Sequence, residues 1–311
     1  MLVLLNPAAG GGRALARWQG IARDLERRWG RFDIHETRAL RHTVGHIADS
    51  LRHGERRFVA VGGDGTVHLL INALATTARP AVLAQVTIGA VGLGPSNDFH
   101  KPFRNGAAAR GVVPSRLEFG AATAHDIGLL LYTDADGVAR RRYWANNASI
   151  GVTADGNHRF NTPDPVLKWL KRLATGPAIG YAALRALAAH RPRLMTLRSD
   201  EQPAVTVSVS NLGVVKNPHF AGSLRYDSPR QSATGQFYVH LLEGQPVPRL
   251  LSALLGLARG CFTGRDGSRS WSASRLAVEA PDPFAIEMDG EVVLARRACF
   301  ALLPRCLKIC P

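Results

Sequence analysis

The 311-residue sequence predicts an α/β fold with a parallel sheet, followed by a β-rich, sandwich-like domain. Three observations carry this. Short apolar runs near the start break into glycine-rich loops, and helical patterns alternate with them. From about Leu117 the periodicity shifts to short segments in which apolar and polar residues alternate. The length suits about two domains. The boundary is placed at 118/119, with 1–118 as the α/β domain, 119–311 as the β-rich one, and the last residues returning to pack on the first.

In chain order, residues 2–5 read as a strand ending at Asn6-Pro7-Ala8-Ala9-Gly10-Gly11-Gly12. A helix over Ala14 to Trp29 follows, its apolar face made by Leu15, Trp18, Ile21 and Leu25. Phe32 to Thr37 reads as the second strand and His42 to Arg52 as the second helix. Phe58-Val59-Ala60-Val61 is the third strand; it stops at Gly62-Gly63-Asp64-Gly65-Thr66, and Val67 to Leu74 turns helical. Ala81 to Ala90 supplies a fourth strand, ending at Val91-Gly92-Leu93-Gly94-Pro95-Ser96-Asn97-Asp98-Phe99. Strands alternating with helices pair in parallel. All three glycine loops then leave carboxyl ends of strands, where ligands of such sheets bind.

In the second part, β-type segments run over Ala124–Thr133, Arg141–Asn147, Ala204–Asn211, Gln236–Leu242, Arg275–Glu279, Phe284–Met288 and Cys299–Leu303. They are interrupted by a basic helical stretch, Pro165 to Arg191, with a break expected at Gly176-Pro177. Its Trp169 and leucines suit either packing on its own domain or resting on a membrane.

The loop at 62–66 has the chemistry of a phosphate site. Glycines let the backbone come close, and the first-turn amides of a helix favour negative charge. Asp64 among those donors would repel a phosphate unless a divalent cation or a water lies between, which points to a Mg²⁺-nucleotide. The plainer alternative is a tight turn with Asp64 as N-cap; three glycines, an acid and a hydroxyl in five residues exceed what a cap requires.

Composition narrows the rest. The chain is 46% hydrophobic and 20% charged, as in ordinary globular proteins. Met1 to Pro7 has no basic n-region or long apolar h-region and reads as a strand rather than a signal peptide. No apolar run approaches the roughly 20 residues of a membrane span, so a cytoplasmic protein is expected, with peripheral contact on the inner membrane face one reading of its charge. That charge is +15, carried mostly by arginine. An arginine-rich proteome explains it as well, and the absence of zinc-finger, RNA-binding or basic-heptad patterns excludes nucleic acid. Cys261, Cys299, Cys306 and Cys310 match no zinc spacing and read as buried thiols.

With these segments assembled, the chain resembles the diacylglycerol kinase catalytic family, which includes bacterial lipid kinases and the sphingosine and ceramide kinases. Asn6-Pro7 with Gly10 is similar to the family's opening Asn-Pro-x-x-Gly, and Gly62 to Thr66 is its G-G-D-G-T unbroken. Gly94, Asn97, Asp98 and Phe99 are similar to its G-T-G-N-D-F. Asn147 to Gly151, Ala221-Gly222-Ser223-Leu224 and Asp289-Gly290-Glu291 match later landmarks in the same order.

The resemblance implies a nucleotide-binding α/β domain like that of phosphofructokinases and NAD kinases, followed by a lipid-side domain. ATP and Mg²⁺ would lie on Asn6, Pro7, Ala8, Ala9 and Gly10 and on Gly62, Gly63, Asp64, Gly65, Thr66, Val67 and His68. Thr37, Ser96, Asn97 and Asp98 would contribute, and Asp64 would reach the metal, through water. The γ-phosphate would pass to a lipid hydroxyl in a cleft between the domains. Glu291 matches the family's proton acceptor, with Asp289 beside it. Glu287, Asp289 and Glu291 alternate along an extended segment and would share one face; a solvated Asp-Gly hairpin is the plainer alternative.

Four departures stand out. His68-Leu69 occupies positions where the family commonly has Asn and Glu, and Pro95-Ser96 replaces Thr-Gly, removing one amide donor. Thr234-Gly235 stands for an Asp-Gly that holds a structural Mg²⁺, and Thr153 replaces an acid. The expected function is an ATP-dependent lipid kinase acting in phospholipid metabolism on a neutral lipid such as diacylglycerol. The alternatives are a non-catalytic nucleotide- or lipid-binding pseudokinase of the same fold and a soluble NAD or sugar kinase.

Overall fold

A computed structural model describes residues 1–12, 14–37, 40–102, 113–162, 164–173 and 175–311. The chain divides into two compact units. The first comprises Met1–Ile127, Ser232–Thr234 and Leu303–Pro311; the second comprises Gly128–Gln231 and Gly235–Leu302.

The first unit contains β1 (Leu2–Leu5), α1 (Ala14–Trp29), β2 (Asp33–Glu36), α2 (Leu40–Arg52), β3 (Arg57–Gly62), α3 (Asp64–Thr77), α4 (Pro80–Leu83), β4 (Thr87–Gly92) and β5 (Ser115–Arg116). The strands run in the order β2-β1-β3-β4, all parallel, with Leu5 level with Glu36 and Val61, and Val61 level with Val91. That register brings the chain out after β1, β3 and β4 at one edge. The strands are covered on both faces, so Leu2–Leu5 and Phe58–Val61 are continuously buried. Trp18 and Leu25 of α1 pack on Val3, Leu5, Val59, Val61 and Val91. Leu15, read as part of that helix face, is exposed, and Ala14 takes its place. The short β5 is antiparallel to β4, and Lys308 and Ile309 pair in parallel with Thr87 and Ile88.

Two sequence expectations change here. Ala81–Ala90 is not one strand: Pro80 opens a helical turn whose amides at Val82 and Leu83 donate to the Arg79 carbonyl, and the strand begins at Thr87. Proline pre-sets φ for a first helical position, and the apolar run did not reveal it. The third helix starts at Asp64 rather than Val67, because the Gly63 carbonyl already accepts from Thr66 at 2.9 Å and Val67 at 3.4 Å.

The second unit holds most of β6 (Thr123–Asp134), then β7 (Ala139–Trp144), β8 (Asn147–Gly151), α5 (Val152–Asn161), α6 (Pro165–Leu173), α7 (Thr175–Ala188), β9 (Arg193–Ser199) and β10 (Val205–Val215). It continues with β11 (His219–Phe220), β12 (Leu224–Arg225), β13 (Phe237–Glu243), α8 (Val247–Arg259), β14 (Ser268–Ala273), β15 (Leu276–Met288) and the first part of β16 (Glu291–Ile309). Antiparallel pairing runs β14-β13-β10-β8-β15-β16, and β9 pairs with both β10 and β15. Its core is built from inward residues of these strands, among them Trp144, Leu212, Phe237, Phe284, Ile286 and Phe300.

The segments read separately as Arg275–Glu279 and Phe284–Met288 are one strand, interrupted by a register shift around Pro281 and Pro283. Prolines lack the ladder donor and settle at such bulges. The break expected at Gly176-Pro177 is displaced, since α7 already begins at Thr175 and carries Pro177 in its first turn, where a missing N–H loses no intrahelical bond. Strands β9 and β14 and helix α8 were not anticipated. Of the thiols, only Cys310 is buried; Cys261 is exposed, and Cys299 and Cys306 are half-buried. No helix among the described residues is long and apolar enough to cross a membrane.

Two stability predictions follow from this packing. A Cβ on Gly128 would lie 1.9 Å from the fully buried Trp144 ring. Gly128→Ala should therefore cost about 1–3 kcal/mol in urea unfolding, as overpacked cores do. His240 stacks on Tyr226 at 4.2 Å, with its ring nitrogens 2.8 Å from Ser270 Oγ and 2.9 Å from Ser228 Oγ. Burial pushes this imidazole down to about 4 from 6.5. The unfolded chain then binds the extra proton between those values. Stability should be insensitive to this group above pH 6.5 and fall by roughly 3 kcal/mol as pH drops to 4. Thermal unfolding across that range should show a flatter slope in His240→Gln.

Candidate active site

The first loop leaves β1 at Asn6. Its amide donates to the Val61 carbonyl at 2.9 Å, and Thr37, after β2, donates to the Leu5 carbonyl at 2.9 Å, so both sit level with the end of β3. Asn6 Oδ1 accepts from the Ala8 amide at 3.1 Å and shapes the turn over Pro7-Ala8-Ala9. Asn6 Nδ2 donates to Thr66 Oγ1 at 3.4 Å, which ties this loop to the first turn of α3. Gly10 has φ +58, and a Cβ there would lie 2.7 Å from the Leu93 carbonyl oxygen. No other residue type fits.

The second loop is the strand-to-helix turn itself. Gly62 ends β3, and a Cβ on it would strike Thr66 Oγ1 at 2.2 Å. Gly63 is the N-cap, without a side-chain cap bond. The amides of Gly63 and Gly65 donate to no acceptor among the described residues. Thr66, Val67 and His68 are buried on the inner side of the first helical turns.

The third loop follows β4 and packs directly on the second. A Cβ on Gly94 would lie 2.4 Å from Gly63 Cα, so the two backbones touch with nothing between them. Asn97, in the left-handed region at φ +50, closes the loop: its Oδ1 accepts from Gly94 N at 3.0 Å and its Nδ2 donates to the Gly92 carbonyl at 3.2 Å. Ser96 is half-buried beside it.

Asp64 is not the N-cap. Its two carboxylate oxygens accept from the backbone amides of Asp98 at 3.0 Å and Phe99 at 2.8 Å. The acid of the second loop therefore holds the third. Asp98 in turn makes a buried ion pair with Lys101, 2.7 Å between Oδ1 and Nζ. Sequence reasoning missed Lys101, and its spacing of three from Asp98 was the only available signal.

In the second unit, β15 ends at Met288 and β16 starts at Glu291, so Asp289-Gly290 forms the two-residue turn. Both turn residues have positive φ, +47 and +96, as a type I′ hairpin requires. Glu287, Asp289 and Glu291 consequently do not alternate along one extended face, and that expectation is corrected. Asp289 is buried; its carboxylate accepts from the amides of Ala145 at 2.6 Å, Asn146 at 2.8 Å and Asn147 at 3.4 Å. Glu287 accepts from Ser149 Oγ at 2.8 Å and from Gly290 N at 2.7 Å, and Asn157 of α5 donates to the Gly290 carbonyl at 3.2 Å. Glu291 is exposed, and its carboxylate makes no hydrogen bond or ion pair among the described residues. Of the three acids, one is available.

Thr153, one of the departures, donates through both N and Oγ1 to Asn211 Oδ1, at 3.1 and 2.7 Å, and so has a structural use.

The donor set of the first unit fits a polyphosphate. Unused amides at the start of the 14-residue α3, backbone packed so closely that side chains are excluded, and an acid at the first helical position are what phosphate and its counter-ion need. Among the described residues no three acids, histidines or cysteines come together as a metal centre. Mg²⁺ with a nucleotide does not require one, since it commonly takes one or two carboxylates and the phosphates themselves.

The chain is similar to several known proteins. Residues 1–128 match the family model of the diacylglycerol kinase catalytic domain. Over 300 residues the chain is 21% identical to the provisionally named lipid kinase YtlR of Bacillus subtilis (strain 168), covering 93% of this chain and 92% of that protein. The fold is that of a provisionally named diacylglycerol kinase from Bacillus anthracis str. Sterne, at TM-score 0.72 and 17% identity over 99% of this chain and 96% of that one. A further diacylglycerol kinase structure from the same organism aligns at TM-score 0.68 and 14% identity, covering 99% and 95% of the two chains. The chain is thus similar over residues 1–128 to the diacylglycerol kinase catalytic domain, and nearly end to end to a protein named as a lipid kinase.

Proposed function

We propose that this protein is an ATP-dependent lipid kinase that phosphorylates a hydroxyl of a neutral lipid such as diacylglycerol. The observation that carries the reading is the division of labour among the three acids at the β15–β16 turn. Glu287 and Asp289 are consumed in holding the turn, and Glu291 is left exposed and unengaged. A general base needs an available carboxylate held at a fixed place.

Phosphoryl transfer is mostly positioning and charge neutralisation. When bound, ATP supplies the phosphoryl group and Mg²⁺ offsets its charge. The Gly63 and Gly65 amides would hold the phosphates, Asn6 and Thr66 keep the first and second loops in register, and Asn97 and Asp98 fix the third. Asp64, while bracing the third loop, would reach the metal through water. Glu291 accepts the proton of the lipid hydroxyl, and Asp289 acts as a positioning residue for it through the 145–147 backbone. Thr37 marks the outer limit of the nucleotide site at the end of β2.

A lipid substrate requires access to a membrane. Helix α6 exposes Val166, Trp169 and Leu173, and Lys168 lies on the same short helix. An apolar face with Trp and a basic rim suits peripheral contact with an acidic lipid surface.

A non-catalytic nucleotide binder of the same fold is the second reading, favoured by Pro95, which leaves the third loop one amide short. Labelled ATP, Mg²⁺ and a total lipid extract separate the two. The kinase reading expects labelled product in the organic phase, lost by about 10²–10⁴-fold in Glu291→Gln. ATP protection against thermal unfolding without labelled lipid would leave only binding, and full activity of Glu291→Gln would remove that residue from its role.

The variants should also differ in stability. Asp289→Asn leaves buried amides poorly matched and should cost about 1–3 kcal/mol in urea unfolding, whereas Glu291→Gln should stay within about 0.5 kcal/mol of the parent. Asp64→Asn should release the third loop and weaken ATP protection about tenfold, the equivalent of one charge-assisted hydrogen bond.

A further inference from the structure

Strands β6, β7, β9, β15 and β16 of the second unit frame a groove of about 740 Å³, within the roughly 300–1,000 Å³ of small-molecule sites. Strand alternation explains its chemistry. Leu130, Leu197, Val278 and Ala298 point into the core, so their neighbours face the other way. Across three strands Arg198 stands opposite Ala277, and Ala277 opposite Cys299. Small side chains in the middle of this row create the depression. Leu131, 45% exposed, stands opposite Arg141 on the β6–β7 hairpin.

The groove is cationic over an apolar floor. Its one acid, Glu279, is already paired with Arg297 at 2.8 Å, and Arg140 is paired with Asp134 at 2.9 Å. The guanidinium groups of Arg141 and Arg198 make no hydrogen bond or ion pair among the described residues. Guanidinium forks match carboxylate and phosphate oxygens, and hydrocarbon gains by covering exposed apolar surface.

We propose that this groove binds a single-chain anionic amphiphile, its chain on Leu131, Ala277 and Cys299 and its carboxylate or phosphate head on Arg141 and Arg198. Other occupants fit less well. Single-stranded nucleic acid needs exposed aromatic platforms, and the one aromatic residue of the lining, Tyr132, is buried. A second copy would set the same unpaired arginines against each other. The groove is also separate from the Asp289-Gly290 turn: Arg297 lies six residues along β16 from Glu291, about 20 Å at the strand rise. It stands independently of the kinase reading.

Cys299 in the floor gives a readout that does not depend on activity. The full chain is treated with a maleimide, and alkylation of Cys299 and Cys261 is followed by peptide mass spectrometry. Submicellar oleate and a lysophosphatidate test the two head groups; oleyl alcohol and inorganic phosphate test chain and anion alone. The expected result is several-fold slower alkylation of Cys299 with either anionic amphiphile and an unchanged rate at the exposed Cys261. Arg141→Gln and Arg198→Gln should each raise the half-protecting concentration about tenfold, Leu131→Glu should abolish protection, and Arg28→Gln on α1 should leave it intact. Equal protection by oleyl alcohol, protection by phosphate alone, equal slowing at Cys261, or unchanged protection in both arginine variants would each overturn the proposal.

Discussion

The first unit depends on bare backbone meeting bare backbone. Gly63 and Gly94 sit so close that a Cβ on Gly94 would lie 2.4 Å from Gly63 Cα, and one on Gly10 would lie 2.7 Å from the Leu93 carbonyl oxygen. Three strand-end loops can share one small volume only where side chains are absent. Such contacts gain little burial of their own, so something polar must hold them. Asp64 does this by accepting two consecutive amides of the third loop, and Asn97 by bridging Gly92 and Gly94. The amides left over, on Gly63 and Gly65, are then both unused and fixed in place, and fixed donors need no reorganisation when an anion arrives.

The same device recurs in the second unit. Asp289 accepts the amides of three successive residues, Ala145 to Asn147, and is buried in doing so. A carboxylate among amides is well solvated by them and cannot easily give up that role. The two aspartates that most resemble reactive acids in the sequence are therefore the two that organise loops. Glu291 is left exposed, beyond a turn that Asp289 has already immobilised. The Asp-Gly-Glu triplet thus sets its two acids at adjacent but unequal places: one inside to define the turn, one outside in solvent.

Much of this was legible in the sequence, and for identifiable reasons. Parallel strands buried on both faces leave unmistakable runs such as Leu2–Leu5 and Phe58–Val61, and a shared carboxyl edge follows from the alternation of strand and helix. Pro80 was misread because an apolar run looks alike as strand or helix until its first residue fixes φ. The acids at 287, 289 and 291 were misread because period-two spacing implies one face only if no turn intervenes. Positive φ at Asp289 and Gly290 reverses the chain there, and the hairpin alternative was the right local geometry. Asp98–Lys101 and the Asp64 brace were invisible, since hydrogen bonds that cross between loops leave no periodic trace. Strand β9 was missed because Leu194, exposed beside the buried Met195, breaks the alternation, and β14 because its apolar side rests on Trp271 and Ala273 among serines and an arginine.

The departures from the family pattern divide by position rather than by residue type. His68 is buried on the inner side of α3, so whatever it replaces, its side chain is part of how the helix packs. Thr153 is bonded twice to Asn211, whose Nδ2 in turn donates to the Tyr226 hydroxyl, so its hydroxyl serves the second unit's framework. Pro95 is different: it is exposed at the tip of the third loop and removes a donor outright. Yet the loop's shape does not rest on that donor. It rests on Asn97, Asp98 and Asp64, all of which are present and engaged. A loop that has lost one amide but kept every brace retains its aim and loses part of its charge complement. That change leaves the alignment of the other two loops undisturbed, because those are fastened separately through Asn6 and Thr66.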